Sequence, residues 1–165
     1  MAEPAGWRAG AFAVLAGIAA GGAGAAVPEL LEAERAFALG AQGIAPQTLS
    51  VRFDIADGYY LYREKFRFSA APAVLSATSL PAGKVKDDPF FGRVEIYRGR
   101  VEILLTLDSA RAGSVVTLVV DSQGCADVGV CYPAQRQTLA VPMPRPGEPP
   151  SPAVDAVPKK KSWFN

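Results

Sequence analysis

From residue 48 onward the chain alternates between apolar and polar positions. In "TLSVRFDI", Leu49, Val51, Phe53 and Ile55 interleave with Ser50, Arg52 and Asp54, the period of two that marks a strand with one face buried. "ADG" turns the chain into "YYLYREKFRFS", and "AVLSATSL", the turn "PAGK" and the loop "DDPFFG" follow. "RVEIYR" and "RVEILLTL" are divided by Gly99; after "DSARAG" come "SVVTLVVDS", a loop holding both cysteines, and "RQTLAVP". This pattern predicts roughly seven or eight short strands with turn signals at near-regular intervals, which favours an antiparallel sandwich or barrel over an α/β fold. Ahead of them, the first part of "VPELLEAERAFALG" predicts a short helix with Leu30, Ala33 and Phe37 on one face.

The two ends of the chain read differently from its middle. Arg8 precedes the uncharged "AGAFAVLAGIAAGGAGAA", whose strongly apolar part has the length of a signal-peptide core and is too short to cross a bilayer. Gly24, Ala25 and Ala26 suit a signal peptidase, so residues 1–26 are expected to be a signal peptide and the mature protein soluble and periplasmic. Residues 27–143 are the expected globular domain. From Pro142 to Pro158 the chain carries half of its fourteen prolines. Residues 144–165 are therefore expected to be a Pro-rich disordered tail, with "KKKSWFN" a solvated end.

Composition narrows the chemistry. Half of the 165 residues are hydrophobic and the formal net charge is +1, enough for the core of one domain and without the charge that would draw nucleic acid. There is no histidine. That removes His-based acid–base catalysis, Ser-His and Cys-His nucleophiles, and nearly every common zinc site. Reaction chemistry is left to thiols, carboxylates, tyrosine or lysine.

The thiols sit in "DSQGCADVGVCYPAQ", where Cys125 and Cys131 bracket five residues. In an exported protein a disulfide is their default state. Closing so short a loop stabilises by about 2.4 kcal/mol, less than a bridge between distant strands supplies. A bridge meant to pin two sheets together would join cysteines far apart in sequence. As a reversible couple the pair is better placed, being local and breakable without unfolding a sandwich. No Lys or Arg lies between Asp121 and Gln135, while Asp121 and Asp127 are both present. Nearby carboxylates raise a thiol's pKa, which argues against a peroxidase or a cysteine hydrolase. On these residues alone two readings stand. One is a redox pair; the other is a structural disulfide in a non-enzymatic immunoglobulin-like binding or chaperone module.

"DGYYLYRE", "FFGRVEIYR" and "QGCADVGVCYP", in this order, resemble the N-terminal periplasmic domain of the thiol:disulfide interchange protein family DsbD, over about residues 34 to 142. The resemblance implies an all-β, immunoglobulin-like antiparallel β-sandwich with a redox-active cysteine hairpin and a cap loop at one end. It also implies a relay of electrons by thiol–disulfide exchange, needing no cofactor beyond the Cys125–Cys131 pair. Cys131 would form mixed disulfides with thioredoxin-like periplasmic proteins, serving a disulfide isomerase or cytochrome c maturation, and Cys125 would resolve them. Because the chain carries no membrane domain of its own, the expected donor is a separate membrane protein of DsbD or CcdA type, and the expected state is a monomer.

In the cap loop the resemblance makes Phe90 a lid over the disulfide, flanked by Asp88, Phe91 and Gly92. Tyr60, Tyr62 and Tyr132 become the aromatic surround of the site. Read without the resemblance, Phe90 and Phe91 are core residues and the tyrosines are cross-strand packing pairs. The chain departs from the family pattern at Pro89, which replaces the second of two adjacent acidic residues and leaves Asp88 preceded by Asp87.

Overall fold

The computed structural model describes residues 29–157; the expected signal peptide and the "KKKSWFN" end lie outside them. The described chain is an antiparallel β-sandwich of immunoglobulin-like type. The expected helix is a single turn, α1 (Ala33–Ala36), without a side-chain cap. Phe37 leaves it to begin β1 (Phe37–Ala45), a strand the apolar pattern does not announce because alanine and glycine dominate it. Its pairing along the whole of β2 (Thr48–Ile55) and the burial of Phe37, Leu39 and Ala41 favour strand over helix there.

The stretch "YYLYREKFRFS" is not one strand. A single 3₁₀ turn at Arg63–Lys65 cuts it into β3 (Tyr59–Tyr62) and β4 (Arg67–Ala71), which enter different sheets. Next come β5 (Val74–Ser79), β6 (Lys84–Asp88), β7 (Gly92–Tyr97) and β8 (Arg100–Asp108). They are followed by β9 (Val115–Ser122), β10 (Gly124–Ala126), β11 (Val130–Cys131), β12 (Gln135–Pro142) and β13 (Val154–Asp155). One sheet runs β13-β1-β2-β8-β5 and a second β12-β9-β4. The alternating apolar residues foreseen from the sequence fill the space between them: Leu49, Val51, Phe53, Ile103, Leu105 and Leu107 from the first, with Val116, Leu118, Val120, Leu139 and Val141 from the second.

A third sheet, β11-β10-β3-β7-β6, closes one end. The chain reaches it and leaves it by crossovers. At Arg98 and Gly99 (φ 63°) it passes from β7 in this sheet to β8 in the first. In the same way the cysteine segment leaves β9, forms the β10–β11 hairpin in the end sheet, and returns as β12 beside β9.

The Pro-rich stretch corrects the expectation of a disordered tail as far as residue 157. β13 pairs with β1, placing Gly40 opposite Asp155 and Ala41 opposite Val154. Ser151 is buried; its N–H donates to the Gly43 carbonyl at 2.8 Å, and its hydroxyl accepts from Gly43 N–H at 3.0 Å. The cause lies in β1, whose outer edge would otherwise present unpaired amides and carbonyls. Glycine there lets the strap lie close, since a Cβ on Gly43 would stand 2.4 Å from the Pro142 carbonyl oxygen. Proline suits such a partly paired edge because it has no N–H to satisfy.

Candidate redox site

The site is built on β3, the middle strand of the end sheet. All four of its residues are buried, and the strand alternation sends them two ways. Tyr59 and Leu61 enter the main core, whereas Tyr60 and Tyr62 form a second cluster with Ile96 and Cys125. The register explains the company they keep: Cys125 pairs with Tyr60, Cys131 pairs with Cys125, and Tyr62 pairs with Ile96. Residues directly opposite in a sheet share a face, so the cysteines and these two tyrosines project together.

Cys125 and Cys131 are joined in a disulfide, with Cα atoms 4.0 Å apart. The two sulfurs differ in access. Cys125 is fully buried, at 0% exposure, while Cys131 is half-buried. The Tyr62 hydroxyl lies 3.1 Å from Cys125 Sγ and 3.9 Å from Cys131 Sγ.

On the other side of β3 lies the β6–β7 hairpin, which holds the expected cap loop. Asp88 ends β6 opposite Gly92, which begins β7, and Gly92 takes the positive φ of 70° that such a tight three-residue turn requires and glycine adopts without strain. Asp88 holds the loop together. Its side chain is fully buried and accepts hydrogen bonds from the Tyr60 and Tyr62 hydroxyls at 2.9 and 2.8 Å. Its other oxygen accepts from the backbone N–H of Phe90 at 2.9 Å and of Phe91 at 3.2 Å, and Lys86 Nζ stands 3.7 Å away. Burial pushes the Asp88 carboxyl up, but the Phe90 amide and the two tyrosine hydroxyls outweigh it and hold the group below its ordinary value. For Tyr62, burial, then the Tyr60 and Asp88 hydrogen bonds, push the phenol far above its ordinary value. It stays a neutral hydroxyl.

The two cap phenylalanines differ. The Phe91 ring packs edge-on against Tyr62 with centroids 5.1 Å apart, under Lys65 Nζ at 4.4 Å. A notch of about 160 Å³ opens there, lined by Tyr62, Lys65, Phe91 and Val94 among others. Phe90, at the loop tip, is 63% exposed against 45% for Phe91; neither belongs to a buried cluster, and among the described residues only Phe91 has an aromatic partner.

Tyr132 stands apart from Tyr60 and Tyr62, packing against the main core. It packs edge-on against Phe37 with centroids 5.5 Å apart and donates its hydroxyl to the Leu31 carbonyl at 2.5 Å. Burial pushes its phenol up to about 12. It anchors the hairpin to the core and the N-terminal segment.

The charges around the cysteines also differ from the sequence picture. Asp121 is gripped by Arg136 at 2.7 and 2.9 Å, and Asp127 by Arg98 at 2.6 and 2.9 Å. Each arginine's hydrogen bonds hold its carboxylate below the ordinary value. The negative field expected at the thiols is therefore largely compensated, at Asp121 by the arginine just past the cysteine loop and at Asp127 by Arg98 from a different part of the chain. No group of metal-ligating side chains is present among the described residues.

Comparison with known proteins points in one direction. The family model for the thiol:disulfide interchange protein DsbD, N-terminal, matches residues 27–142. The thiol:disulfide interchange protein DsbD of Ralstonia nicotianae is 44% identical over 119 residues, which is 70% of this chain and 19% of that protein. Its Escherichia coli K12 counterpart is 40% identical over 111 residues, 67% of this chain and again 19% of the relative. The chain thus spans about a fifth of the length of the curated relatives it matches. Among solved structures, the Neisseria meningitidis DsbD N-terminal domain in the reduced form superposes with a TM-score of 0.65 at 34% identity, covering 76% of this chain and 94% of that one. The same organism's DsbD N-terminal domain, in a structure of its complex with the PilB N-terminal domain, gives 0.59 at 36% identity, covering 68% and 87%.

Proposed function

Since the chain belongs to the family of DsbD N-terminal domains, we propose that it is a periplasmic disulfide reductase module. It relays electrons from a thioredoxin-like donor or membrane thiol transporter to oxidised periplasmic partners, by exchange at Cys125 and Cys131. The family and the cysteine pair support a thiol:disulfide oxidoreductase; the direction, the partners and the roles of the two sulfurs are the finer part of the proposal. In Neisseria meningitidis a DsbD N-terminal domain forms a complex with a second protein's domain, which supports docking of a protein, not a small molecule.

The observation that carries the sulfur assignment is the unequal access of the two cysteines: Cys125 at 0% exposure, Cys131 half-buried. When the module is reduced, a donor thiolate attacks Cys131 Sγ. The S–S bond breaks and Cys125 leaves with the electron pair, next to the Tyr62 hydroxyl. That hydroxyl has one proton, which it donates in a hydrogen bond to the ionised Asp88 while the disulfide is intact. Asp88 also has Tyr60 and two backbone N–H groups as donors, so it stays hydrogen-bonded when Tyr62 turns to the new thiolate. The donor's second thiolate then attacks its own sulfur in the mixed disulfide and frees Cys131. Two electrons have entered as two thiols. Delivery runs in reverse: Cys131 attacks the partner's disulfide, and Cys125 attacks Cys131 Sγ and expels the reduced partner.

Trapping tests the order. Cys125→Ala keeps the attacking sulfur and removes the resolving one, so it accumulates a mixed disulfide with an oxidised thioredoxin-like protein. Cys131→Ala accumulates little. Equal trapping by both variants refutes the assignment.

A further inference from the structure

Besides the pairing of β10 with β3, the hairpin that carries the cysteines is fixed at its base and at its tip. At its base, Tyr132 is held by Phe37 and the Leu31 carbonyl, and its N–H donates to the Gly124 carbonyl at 3.0 Å. At its tip, Asp127 N–H donates to the Gly58 carbonyl at 2.7 Å and Gly129 N–H closes the turn on Ala126 at 3.0 Å. The Asp127 carboxylate is then gripped by both terminal nitrogens of Arg98. Arg98 comes from the crossover between β7 and β8, 29 positions away. It also donates to the Tyr59 carbonyl at 3.2 Å, and its guanidinium lies 5.1 Å from the Tyr60 ring centroid. One side chain therefore touches the hairpin tip and two successive residues of β3, the second of which pairs with Cys125.

Between base and tip β10 pairs with β3 through Gly124, Cys125 and Ala126, but among the described strands β11 has only β10 beside it. β11 is two residues long and forms the outer edge of the end sheet. In the oxidised form the disulfide itself ties β11 to β10. In the dithiol form that tie is gone, and the neighbouring strand must hold Cys131 opposite Cys125 with two residue pairs.

We propose that Arg98 is a positioning residue for the exchange reaction, whose fork on Asp127 holds the hairpin tip against β3 while the disulfide is open. It keeps Cys131 opposite Cys125, so that Cys125 can attack Cys131 Sγ in a mixed disulfide and release the partner's thiolate. It also offsets the Asp127 charge two residues from Cys125, which would otherwise disfavour a thiolate. The inference rests on the relay reading, because only a disulfide that opens needs a second tie. Exposed ion pairs add little to global stability, so the expected effect is local and specific to one redox state. A guanidinium fork matches a carboxylate in a way an ammonium does not.

The test is amide hydrogen exchange at Asp127, Gly129 and Tyr132 in the full chain, as disulfide and after reduction by dithiothreitol, with a glutathione titration alongside. In Arg98→Ala, the dithiol form exchanges about tenfold faster at Asp127 and Gly129, with Tyr132 and the whole disulfide form nearly unchanged. The glutathione equilibrium shifts about tenfold toward the dithiol, as a less pre-organised pair closes less readily. Arg98→Lys and Asp127→Asn shift both readouts in the same direction by less, and they carry the comparison if Arg98→Ala does not fold. Equal loosening of both redox forms, or none in either, overturns the clamp. A wild-type disulfide that glutathione does not reduce at any ratio overturns the relay reading instead, and the exchange data on the dithiothreitol-reduced protein still decide the clamp.

Discussion

The two faces of β3 are four residues of one strand put to opposite uses. Tyr59 and Leu61 face a core filled by aliphatic and aromatic side chains, where burial of apolar area supplies the stability. Tyr60 and Tyr62 face a cluster whose centre is a carboxylate and two sulfurs. A buried carboxylate is costly unless it is fully hydrogen-bonded, and Asp88 has four donors at hydrogen-bond distance. One face holds the strand in place. The other holds the cysteine pair beside Tyr62, with the β6–β7 loop tied down by that carboxylate. Pleating alone separates the two roles, so exchange chemistry can open one face without loosening the other.

The largest effect expected from breaking this arrangement is on the core face. Leu61 is at 0% exposure, and Leu61→Ala should cost about 2–5 kcal/mol. Denaturant unfolding measures that loss. The rate at which dithiothreitol reduces the folded protein should hardly move. A change in reactivity as large as the change in stability would show that the two faces are not separable.

A smaller effect, on both properties, is expected from Asp88→Asn. Hydrogen bonds to a charged group contribute about 1.5–3 kcal/mol, and an amide would set two donors of its own against the donors that now converge on Asp88. The pH dependence has a definite sign. The folded-state pKa of Asp88 is lowered from the ordinary 3.8. Its contribution is therefore complete above that value and is lost as the pH falls through the lower folded value. Wild type and variant should converge in stability in acid and differ most near neutrality. Reduction should also quicken in the variant, because the Tyr62 proton is no longer claimed by a carboxylate when Cys125 leaves as a thiolate. A stability gap that widens in acid would contradict the assignment.

How far each of these features could be read from the chain depends on how local its cause is. Strict alternation in β2 and β8 reflects a buried face against a wet one, and both strands stand where the pattern put them. β1 escaped because Gly40 and Gly43 are there for the close approach of the strap, a contact made with residues more than a hundred positions on. The strap resembles a tail in sequence for the same reason, since proline-rich composition describes what a segment does alone. At the site, the cysteines, Asp88 and the tyrosines were all visible as residue types. What no local stretch contains is the convergence of Tyr60 and Tyr62 on Asp88, or of Arg98 on Asp127. Both pairings arise from strand order in the end sheet.

The smallest stability effect belongs to the cap, where the comparison is between neighbours. Phe90 is 63% exposed, so Phe90→Ala should leave stability within about 0.5 kcal/mol, well short of the roughly 3–5 kcal/mol for a core phenylalanine. Phe91 packs on Tyr62 and should cost more when truncated. Shielding of the sulfurs is a separate matter from packing. Access to the sulfur is one control on the rate of exchange, so a side chain that covers Cys131 slows small thiols whether or not it stabilises the fold. If Phe90 is the lid, Phe90→Ala speeds reduction by dithiothreitol while its unfolding curve overlays that of wild type. Phe91→Ala then speeds reduction too, because the loop that carries Phe90 loses its hold on Tyr62. A Phe90→Ala protein with unchanged stability and unchanged reduction rate would remove Phe90 from the site and leave Phe91 as the residue through which the cap acts.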